Sequence, residues 1–307
     1  MAKILVTGAG GFIGTHLIRR LRADGHHVQA VDRVPSGGRA GLDRGGGRVD
    51  WHQGDLLEMD LEHLVAGVEY VVHLAGQPGV RESWAEFPRY ARGNIETTQR
   101  LLESLRGRQL KKFVLASTSS VYGDAPMPAR EDGPVLPISP YGATKLAAES
   151  LCELYGRTAG MPWVALRYFT VYGPGQRPDM AFTRWLRAVH EGKPAEIYGD
   201  GTQIRDFTYV ADAVEATVRA LFAPARQVAV NVGGGRPVSV REAIAAIQKV
   251  TGVPVRMQYH RTARGDMKET RASTTRLEQL LGFVPATPLE EGLAKQFQWV
   301  KEGGGVP

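Results

Sequence analysis

The sequence places a tyrosine and a lysine four residues apart at the start of a predicted helix. Ser139 suits the N-cap and Pro140 the first helical position. Tyr141 and Lys145 then lie on one helix face. An ammonium group close to a phenol favours the phenolate and lowers its pKa from about 10. Such a tyrosine can act as a general base near neutral pH, so we expect the pair to be catalytic.

A run of hydroxyl side chains precedes this pair. Residues 111–116 read as a strand, and Ser117, Thr118, Ser119 and Ser120 follow it directly. Ligands of open α/β sheets bind at the carboxyl ends of strands, so this run marks a chemical site; the alternative is a polar turn. Tyrosine–lysine pairs at this spacing also occur by chance. Only together with the hydroxyl run and the dinucleotide motif described below does this pair indicate a catalytic site.

A glycine-rich turn near the N-terminus predicts a phosphate-binding device. Residues 4–7 read as a buried strand, followed by Gly8, Gly11 and Gly14 and then by an amphipathic helix. The N-terminus of such a helix offers free N–H groups and partial positive charge. Asp32 ends the second strand roughly 20 residues later, where a carboxylate binds a ribose hydroxyl. A turn that merely needs small residues is the alternative.

Strands and helices alternate along the first half of the chain. Further strands are predicted at 49–56, 68–76, 111–116 and 162–169. This alternation predicts an α/β fold with a Rossmann-type, doubly wound parallel sheet. We expect a dinucleotide-binding domain over residues 1–172. Residues 173–307 should form a smaller C-terminal substrate-binding lobe, with some segments returning to the sheet.

The bulk composition narrows the class of protein. The 307 residues are 43% hydrophobic and hold one cysteine, which predicts a globular protein without disulfides in the reducing cytoplasm. No apolar run approaches the ~20 residues that span a membrane. The net charge of +6 is scattered, so we expect an anionic small substrate and not nucleic acid. The histidines show no metal-ligand spacing, so no metal is predicted.

Several segments together resemble the extended short-chain dehydrogenase/reductase superfamily. They are TGAGGFIG, HLAGQPGVR, LASTSSVYG, the Tyr141–Lys145 pair, LRYFTVYGPGQRPDMA and GDGTQIRDFTYVAD, and they span nearly the whole chain. In combination they resemble the NAD-dependent epimerase/dehydratase family, which acts on sugar nucleotides. The segment FTVYGPGQRPDMA is most similar to that of UDP-glucuronate 4-epimerases.

The resemblance implies a role for each matching residue. It implies catalysis by Thr118, Tyr141 and Lys145. It implies NAD binding by Gly8, Gly11, Phe12, Ile13, Gly14, Asp32, Arg33, Asp55, Leu56, Leu74, Ala75, Gly76, Tyr141, Lys145 and Tyr168. It implies UDP-sugar binding by Gln77, Arg81, Thr118, Ser119, Ser120, Tyr141, Thr170, Arg177, Arg205 and Asp266. For Gln77 and Arg81, plain loop structure is an equal alternative.

The resemblance also implies a reaction. Tyr141 removes the proton of the sugar 4-hydroxyl while C4 gives hydride to NAD⁺, and the 4-keto sugar then rotates and takes the hydride back on its other face. Lys145 holds the nicotinamide ribose and lowers the pKa of Tyr141. Asp32 indicates NAD and not NADP, because its charge repels a 2′-phosphate, although the neighbouring Arg33 weakens this inference.

A few positions bear on the substrate. Dehydratases of the family need an acid–base pair after the catalytic threonine, where this chain has Ser119 and Ser120. UDP-glucose epimerases and UDP-glucuronate decarboxylases usually carry asparagine where this chain has Thr170. Hydroxyl donors around a C5 carboxylate, with added charge from Arg177, favour UDP-glucuronate 4-epimerase. UDP-glucose 4-epimerase, the decarboxylase and a non-catalytic NAD-binding scaffold stay open as alternatives.

The resemblance further implies a homodimer. Family members usually dimerise through two long helices that form a four-helix bundle with their copies. The matching segments here are residues 92–106 and 141–158.

Overall fold

A seven-stranded parallel sheet forms the centre of the molecule. The computed structural model describes residues 1–35, 46–261 and 265–304. The strands in these ranges are β1 (Lys3–Thr7), β2 (His27–Asp32), β3 (Val49–Gln53), β4 (Tyr70–His73), β5 (Lys112–Thr118), β6 (Trp163–Tyr168), β7 (Thr170–Tyr172), β8 (Ala195–Tyr198), β9 (Ile204–Arg205), β10 (Phe207–Tyr209), β11 (Val228–Val232), β12 (Val238–Ser239) and β13 (Met257–His260).

The strand order of this sheet is β11-β6-β5-β4-β1-β2-β3. All its pairs are parallel, which confirms the predicted Rossmann-type architecture. From β1 the chain adds strands outward in one direction, to β2 and β3, and from β4 it adds them in the other direction, to β5 and β6. The topological switch point of the sheet therefore lies between β1 and β4. Ligands of open parallel sheets bind at this point, at the carboxyl ends of the strands.

Helices cover both faces of the sheet. They are α1 (Phe12–Ala23), α2 (Leu61–Leu64), α3 (Phe87–Tyr90), α4 (Thr97–Leu105), α5 (Pro140–Ala159), α6 (Ala181–His190), α7 (Val210–Phe222), α8 (Val240–Thr251), α9 (Thr275–Leu281) and α10 (Leu289–Lys301). Side chains alternate between the faces along each strand. Ile4 and Val6 pack with α1 and α7, whereas Leu5 packs with α2, α4 and α5.

The C-terminal part of the chain contributes to two regions. β11 extends the central sheet beside β6, and α7 packs on the sheet against α1. The remaining segments form small two-stranded sheets, in which β13 pairs with β8, β12 with β9 and β10 with β7. The division into a domain of residues 1–172 and a lobe of residues 173–307 stays a proposal.

Local signals predicted several helix boundaries correctly. Ser139 caps α5 through Gly142 N–H, and Pro140 is the first residue of that helix. Ser239 and Glu242 have the spacing that predicts a capping box, and they form one at the start of α8. Thr287 and Glu290 have the same spacing, but the box that it predicts is wrong: α10 begins at Leu289 with Pro288 as its N-cap and without a side-chain cap.

The segment predicted as a helix over 92–106 contains an unpredicted feature. A π-helical turn, Ala91–Glu96, joins α3 to α4. Such turns are rare and frequently lie at functional sites.

Candidate active site

The carboxyl ends of the central strands open into a cavity of about 1160 Å³. This exceeds the usual range for a single small ligand, roughly 300–1,000 Å³, and suits a cofactor together with a substrate. Every residue predicted above for catalysis, cofactor binding or substrate binding lines this one cavity. Their individual roles stay predictions.

The glycine-rich turn between β1 and α1 is packed too tightly for side chains. A Cβ on Gly8 would lie 2.6 Å from Ala75 N, and one on Gly14 would lie 2.3 Å from Gly8 O. Gly11 is the N-cap of α1 and makes no side-chain cap. No side chain caps the first N–H groups of α1, from Phe12 onward. These donors are therefore available to a dinucleotide pyrophosphate in the cavity.

The adenosine side of the cavity contains the predicted acid. Asp32 ends β2, and its Oδ2 accepts the Gly10 N–H at 2.8 Å while Oδ1 accepts the Val34 N–H at 3.2 Å. These bonds fix the carboxylate beside the phosphate-binding turn. Arg33, Asp55 and Leu56 line the cavity next to it. The turn and the fixed carboxylate together fit NAD.

Thr118, Tyr141 and Lys145 come together where β5 ends and α5 begins. Thr118 is the last residue of β5, and its Oγ1 accepts the Ser120 N–H at 3.2 Å. Tyr141 lies in the first turn of α5, and Lys145 follows one turn later in a buried position. The carboxyl end of a strand and the N-terminal turns of a helix thus position the predicted catalytic groups.

The prediction that Lys145 lowers the pKa of Tyr141 is not met. Burial raises the pKa of Tyr141, while a hydrogen bond with Thr118 and the charge of Arg177 act in the opposite direction. Lys145 is itself buried, which lowers its own pKa to about 8. At a pKa of about 8 the amine is still mainly protonated at pH 7, so burial of the phenol, and not loss of the lysine charge, keeps Tyr141 from being a stronger acid.

Hydroxyl groups line the wall beside Tyr141. Ser119 and Ser120 are buried in a short 3₁₀ turn, and the Thr118 hydroxyl donates to Ser120 Oγ at 3.3 Å. Thr170 begins β7 and lines the same cavity. Arg177 lies nearby, and its guanidinium binds both carboxylate oxygens of Asp179, at 3.0 and 2.7 Å. The predicted charge of Arg177 is therefore already partly offset.

The far end of the cavity is rich in arginine. Arg81 forms an ion pair with Asp266 at 2.9 Å, and its guanidinium lies 4.0 Å from the centre of the Tyr198 ring. Arg205 donates to the Ile204 carbonyl at 2.8 Å. Burial lowers its pKa and Asp266 raises it. These cations suit a diphosphate, and Tyr198 offers a flat apolar surface.

Tyr168, predicted to bind the cofactor, lies at the edge of the site. Tyr168 lines the cavity, but its hydroxyl bonds to Thr217 Oγ1 on α7 at 2.7 Å. The hydroxyl is thus engaged within the fold.

Sequence analysis missed Asn94, which lies in the π-helical turn. Its Oδ1 accepts the Gln77 N–H at 2.8 Å, and its Nδ2 donates to the Gln77 carbonyl and to Thr144 Oγ1 at 3.1 and 2.9 Å. The Thr144 hydroxyl in turn donates to the Tyr141 carbonyl at 2.9 Å. Asn94 therefore ties the Gln77 loop to the catalytic helix. No local sequence signal indicates this role.

His73, at the end of β4, was also missed. The Thr98 hydroxyl donates its only hydrogen to the Asn94 carbonyl at 2.6 Å. The Thr98 oxygen must therefore accept the hydrogen bond from His73 Nε2, which lies 3.1 Å away. His73 Nδ1 then accepts the Thr7 hydroxyl at 2.7 Å. Burial lowers the pKa of His73 to about 3. A neutral histidine thus connects the phosphate-binding strand to the π-helical turn.

Comparison with known proteins agrees with this site. The sequence profile of the NAD dependent epimerase/dehydratase family matches residues 4–233, so the chain belongs to this family. YtcB of Bacillus subtilis (strain 168), described as an uncharacterized UDP-glucose epimerase, is 41% identical and covers 97% of this chain and 98% of its own length.

Two solved structures are similar over the whole fold. The UDP-glucuronic acid 4-epimerase of Bacillus cereus, in complex with UDP-glucuronic acid and NAD, has a TM-score of 0.93 at 40% identity, covering 98% of this chain and 99% of that one. MoeE5, in complex with UDP-glucose and NAD, has a TM-score of 0.92 at 44% identity and the same coverage.

These findings confirm the predicted family, the fold class, the NAD dependence and the assignment as an epimerase. In the described part of the chain, no helix combines the length and apolar character needed to cross a membrane.

Proposed function

We propose that this chain interconverts UDP-glucuronate and UDP-galacturonate by inverting C4. The observation that carries the proposal is that four hydroxyl side chains, Thr118, Ser119, Ser120 and Thr170, line the same cavity as Tyr141; we call them the hydroxyl wall. Several short donors on one wall suit a carboxylate, which accepts up to four hydrogen bonds. A neutral hydroxymethyl group has no need of so many.

The side chains divide the chemistry among them. Tyr141 takes the proton of the sugar 4-hydroxyl and returns it, and Thr118 hydrogen-bonds the same oxygen. NAD, when bound, supplies reversible hydride transfer at C4 and a positive charge that favours the Tyr141 phenolate. Lys145 holds the nicotinamide ribose. Arg205 binds the diphosphate, Arg81 lies near the sugar, and Asp266 binds the uridine ribose.

The hydroxyl wall would also protect the intermediate. The 4-keto form of a glucuronate is a β-keto acid, which loses CO₂ easily when the breaking bond lies perpendicular to the carbonyl plane. Hydroxyls that hold the carboxylate out of that geometry suppress this loss. Ser119 and Ser120, in place of an acid–base pair, leave no group there for a dehydratase reaction.

The test is NMR of the product formed from UDP-glucuronate without added NAD. We expect UDP-galacturonate from the wild type and none from Tyr141→Phe. Thr170→Ala should release more CO₂ and bind substrate more weakly, whereas the control Thr170→Ser keeps the hydroxyl and should resemble the wild type. Unchanged CO₂ release and binding in Thr170→Ala would refute the proposed role of the wall.

UDP-glucose 4-epimerase is the second candidate. The pairing of Arg177 with Asp179 favours it, because a guanidinium already bound to a carboxylate offers less charge to a second one. Side-by-side assays on both UDP-sugars decide between the candidates. Turnover of UDP-glucose alone would overturn the first proposal, and stoichiometric CO₂ from UDP-glucuronate would indicate the decarboxylase.

We also propose that the chain is a cytoplasmic homodimer. Leu154, in the expected dimer segment 141–158, is 51% exposed, and Phe87, just before the other expected segment, is 48% exposed. Burying such side chains favours association. The single, buried Cys152 agrees with a reducing compartment. Light scattering that gives the mass of one chain would refute the dimer.

A further inference from the structure

A buried ion pair lies one helical turn beyond Lys145 on the catalytic helix. Glu149 and Arg167 have only 7% of each side chain exposed, and Arg167 Nη2 donates to Glu149 Oε2 at 2.7 Å. Arg167 Nε donates to both oxygens of the carboxylate, at 3.1 and 3.2 Å. Desolvating two charges is costly, and an apolar pair would often be as stable. The pair is therefore a candidate for a role beyond the fold.

Both charged groups are held in place by further partners. The Ser117 hydroxyl donates to Glu149. Arg167 Nη1 donates to the Tyr122 hydroxyl at 2.9 Å, and that hydroxyl donates to Asn231 Oδ1 at 2.6 Å. With these bonds the Glu149 carboxylate has one fixed position between α5, β5 and β6.

Glu149 lies on the same face of α5 as the predicted catalytic groups. Residues four apart on a helix are neighbours, so Tyr141, Lys145 and Glu149 form one row. Ser117, which donates to Glu149, directly precedes Thr118 at the end of β5. Glu149 thus contacts the strand end that carries one catalytic hydroxyl and neighbours the lysine on its own helix.

The negative charge of Glu149 favours the protonated form of Lys145. Burial lowers the pKa of Lys145 to about 8, and Glu149 acts against this. Arg167, paired with Glu149, is positive and offsets part of this effect. The titratable groups close to Lys145 other than Glu149 are uncharged at neutral pH. Burial lowers the pKa of His73 to about 3, raises the pKa of the Cys152 thiol and raises that of Tyr141. Among the described residues around Lys145, Glu149 supplies the negative charge.

We propose that Glu149 is a positioning residue that keeps Lys145 charged and ties helix α5 to the strand end bearing Thr118. The proposal deepens the function above and rests on it for its catalytic meaning. The charged form of Lys145 can donate hydrogen bonds to a ribose hydroxyl, and its positive charge stabilises a phenolate at Tyr141.

The experiment measures the titration of Lys145 directly. The sequence has nine lysines, so the ¹³Cε signals of labelled lysine can be resolved, and the signal lost in Lys145→Arg identifies position 145. In Glu149→Gln we expect the midpoint of the Lys145 titration to fall by at least one pH unit, a tenfold change in the protonation constant. An unchanged midpoint would overturn the proposal.

Two further variants separate charge from structure. Ser117→Ala removes the hydrogen bond but keeps the charge, so it should leave the midpoint where it is in the wild type and lower kcat several-fold. A shift equal to that of Glu149→Gln would show that the charge is not the cause. If Glu149→Gln does not fold, Glu149→Gln/Arg167→Met removes both buried charges. Because the loss of the Arg167 charge acts in the opposite direction, the midpoint should then fall by a smaller amount, and an unchanged or raised midpoint would overturn the proposal.

The titration uses no UDP-sugar, so its outcome does not depend on the proposed substrate. The pH profile of kcat/KM adds the functional readout. Its alkaline limb should move to lower pH in Glu149→Gln by the same amount as the NMR midpoint. A shifted midpoint with an unshifted limb would overturn the link to catalysis, whereas a wild type inactive on every UDP-sugar would overturn the proposed function alone.

Discussion

Adding one methyl group at Gly14 should abolish most of the affinity for NAD. A Cβ at this position would lie 2.3 Å from Gly8 O and 2.8 Å from Ala9 O, whereas ordinary contact begins at 3.4 Å. The turn between β1 and α1 must therefore open by roughly 1 Å. A misplacement of about 1 Å in a binding group costs on the order of 100-fold. Overpacking also costs about 1–3 kcal/mol of stability.

The assay is calorimetric titration of NAD into nucleotide-free protein, together with urea unfolding. Gly14→Ala should raise the Kd for NAD about 100-fold. Gly25→Ala is the matched control, because it lies just past the other end of α1 with no atom within 4 Å of the added Cβ. Its φ of +80° predicts a loss of about 1–2 kcal/mol with unchanged NAD binding. A Kd within threefold of the wild type for Gly14→Ala would refute the steric argument.

Two other substitutions test the cofactor preference and the buried histidine. Asp32→Ser should weaken NAD at least tenfold and allow NADP to bind beside Arg33, because it removes the charge that repels a 2′-phosphate; calorimetry with both cofactors checks this, and an unchanged preference would contradict it. His73→Gln should make the free energy of unfolding depend less on pH under acidic conditions. The pKa of His73 falls to about 3 in the fold against 6.5 unfolded, so the unfolded chain binds the extra proton as the pH drops below 6.5. From pH 7.5 to 5 the wild type should lose about 2 kcal/mol more than the variant in urea unfolding, and equal losses would count against the assignment.

Sequence patterns predicted the parts of this molecule that depend on neighbouring residues. The strand–glycine–helix unit at the N-terminus and the Ser139 cap of α5 are local signals, and both are present in the structure. The first six strands of the central sheet lie within a few residues of their predicted positions. The site residues were reached largely through family motifs, because their convergence on one cavity follows from strand order.

Other features depend on contacts between distant segments. β11 was not predicted, because its five residues become a strand only by pairing with β6. The link between Asn94 and Gln77 joins the π-helical turn to the loop that follows β4. Glu149 reads in sequence as a polar residue of an amphipathic helix, and only Arg167 on another strand makes it a buried ion pair.

The π-helical turn at Ala91–Glu96 has a consequence for homologous chains that differ in length at this helix. Such a turn holds one residue more than the surrounding α-helical register. A single-residue deletion there would restore a regular helix and leave the flanking helices in phase, so Leu101 and Leu105 would stay in the core. The residues of the turn itself would shift, and Asn94 would lose its position in the cavity wall. Homologous chains without the extra residue should therefore keep the core leucines in register but lack the link between Asn94 and Gln77.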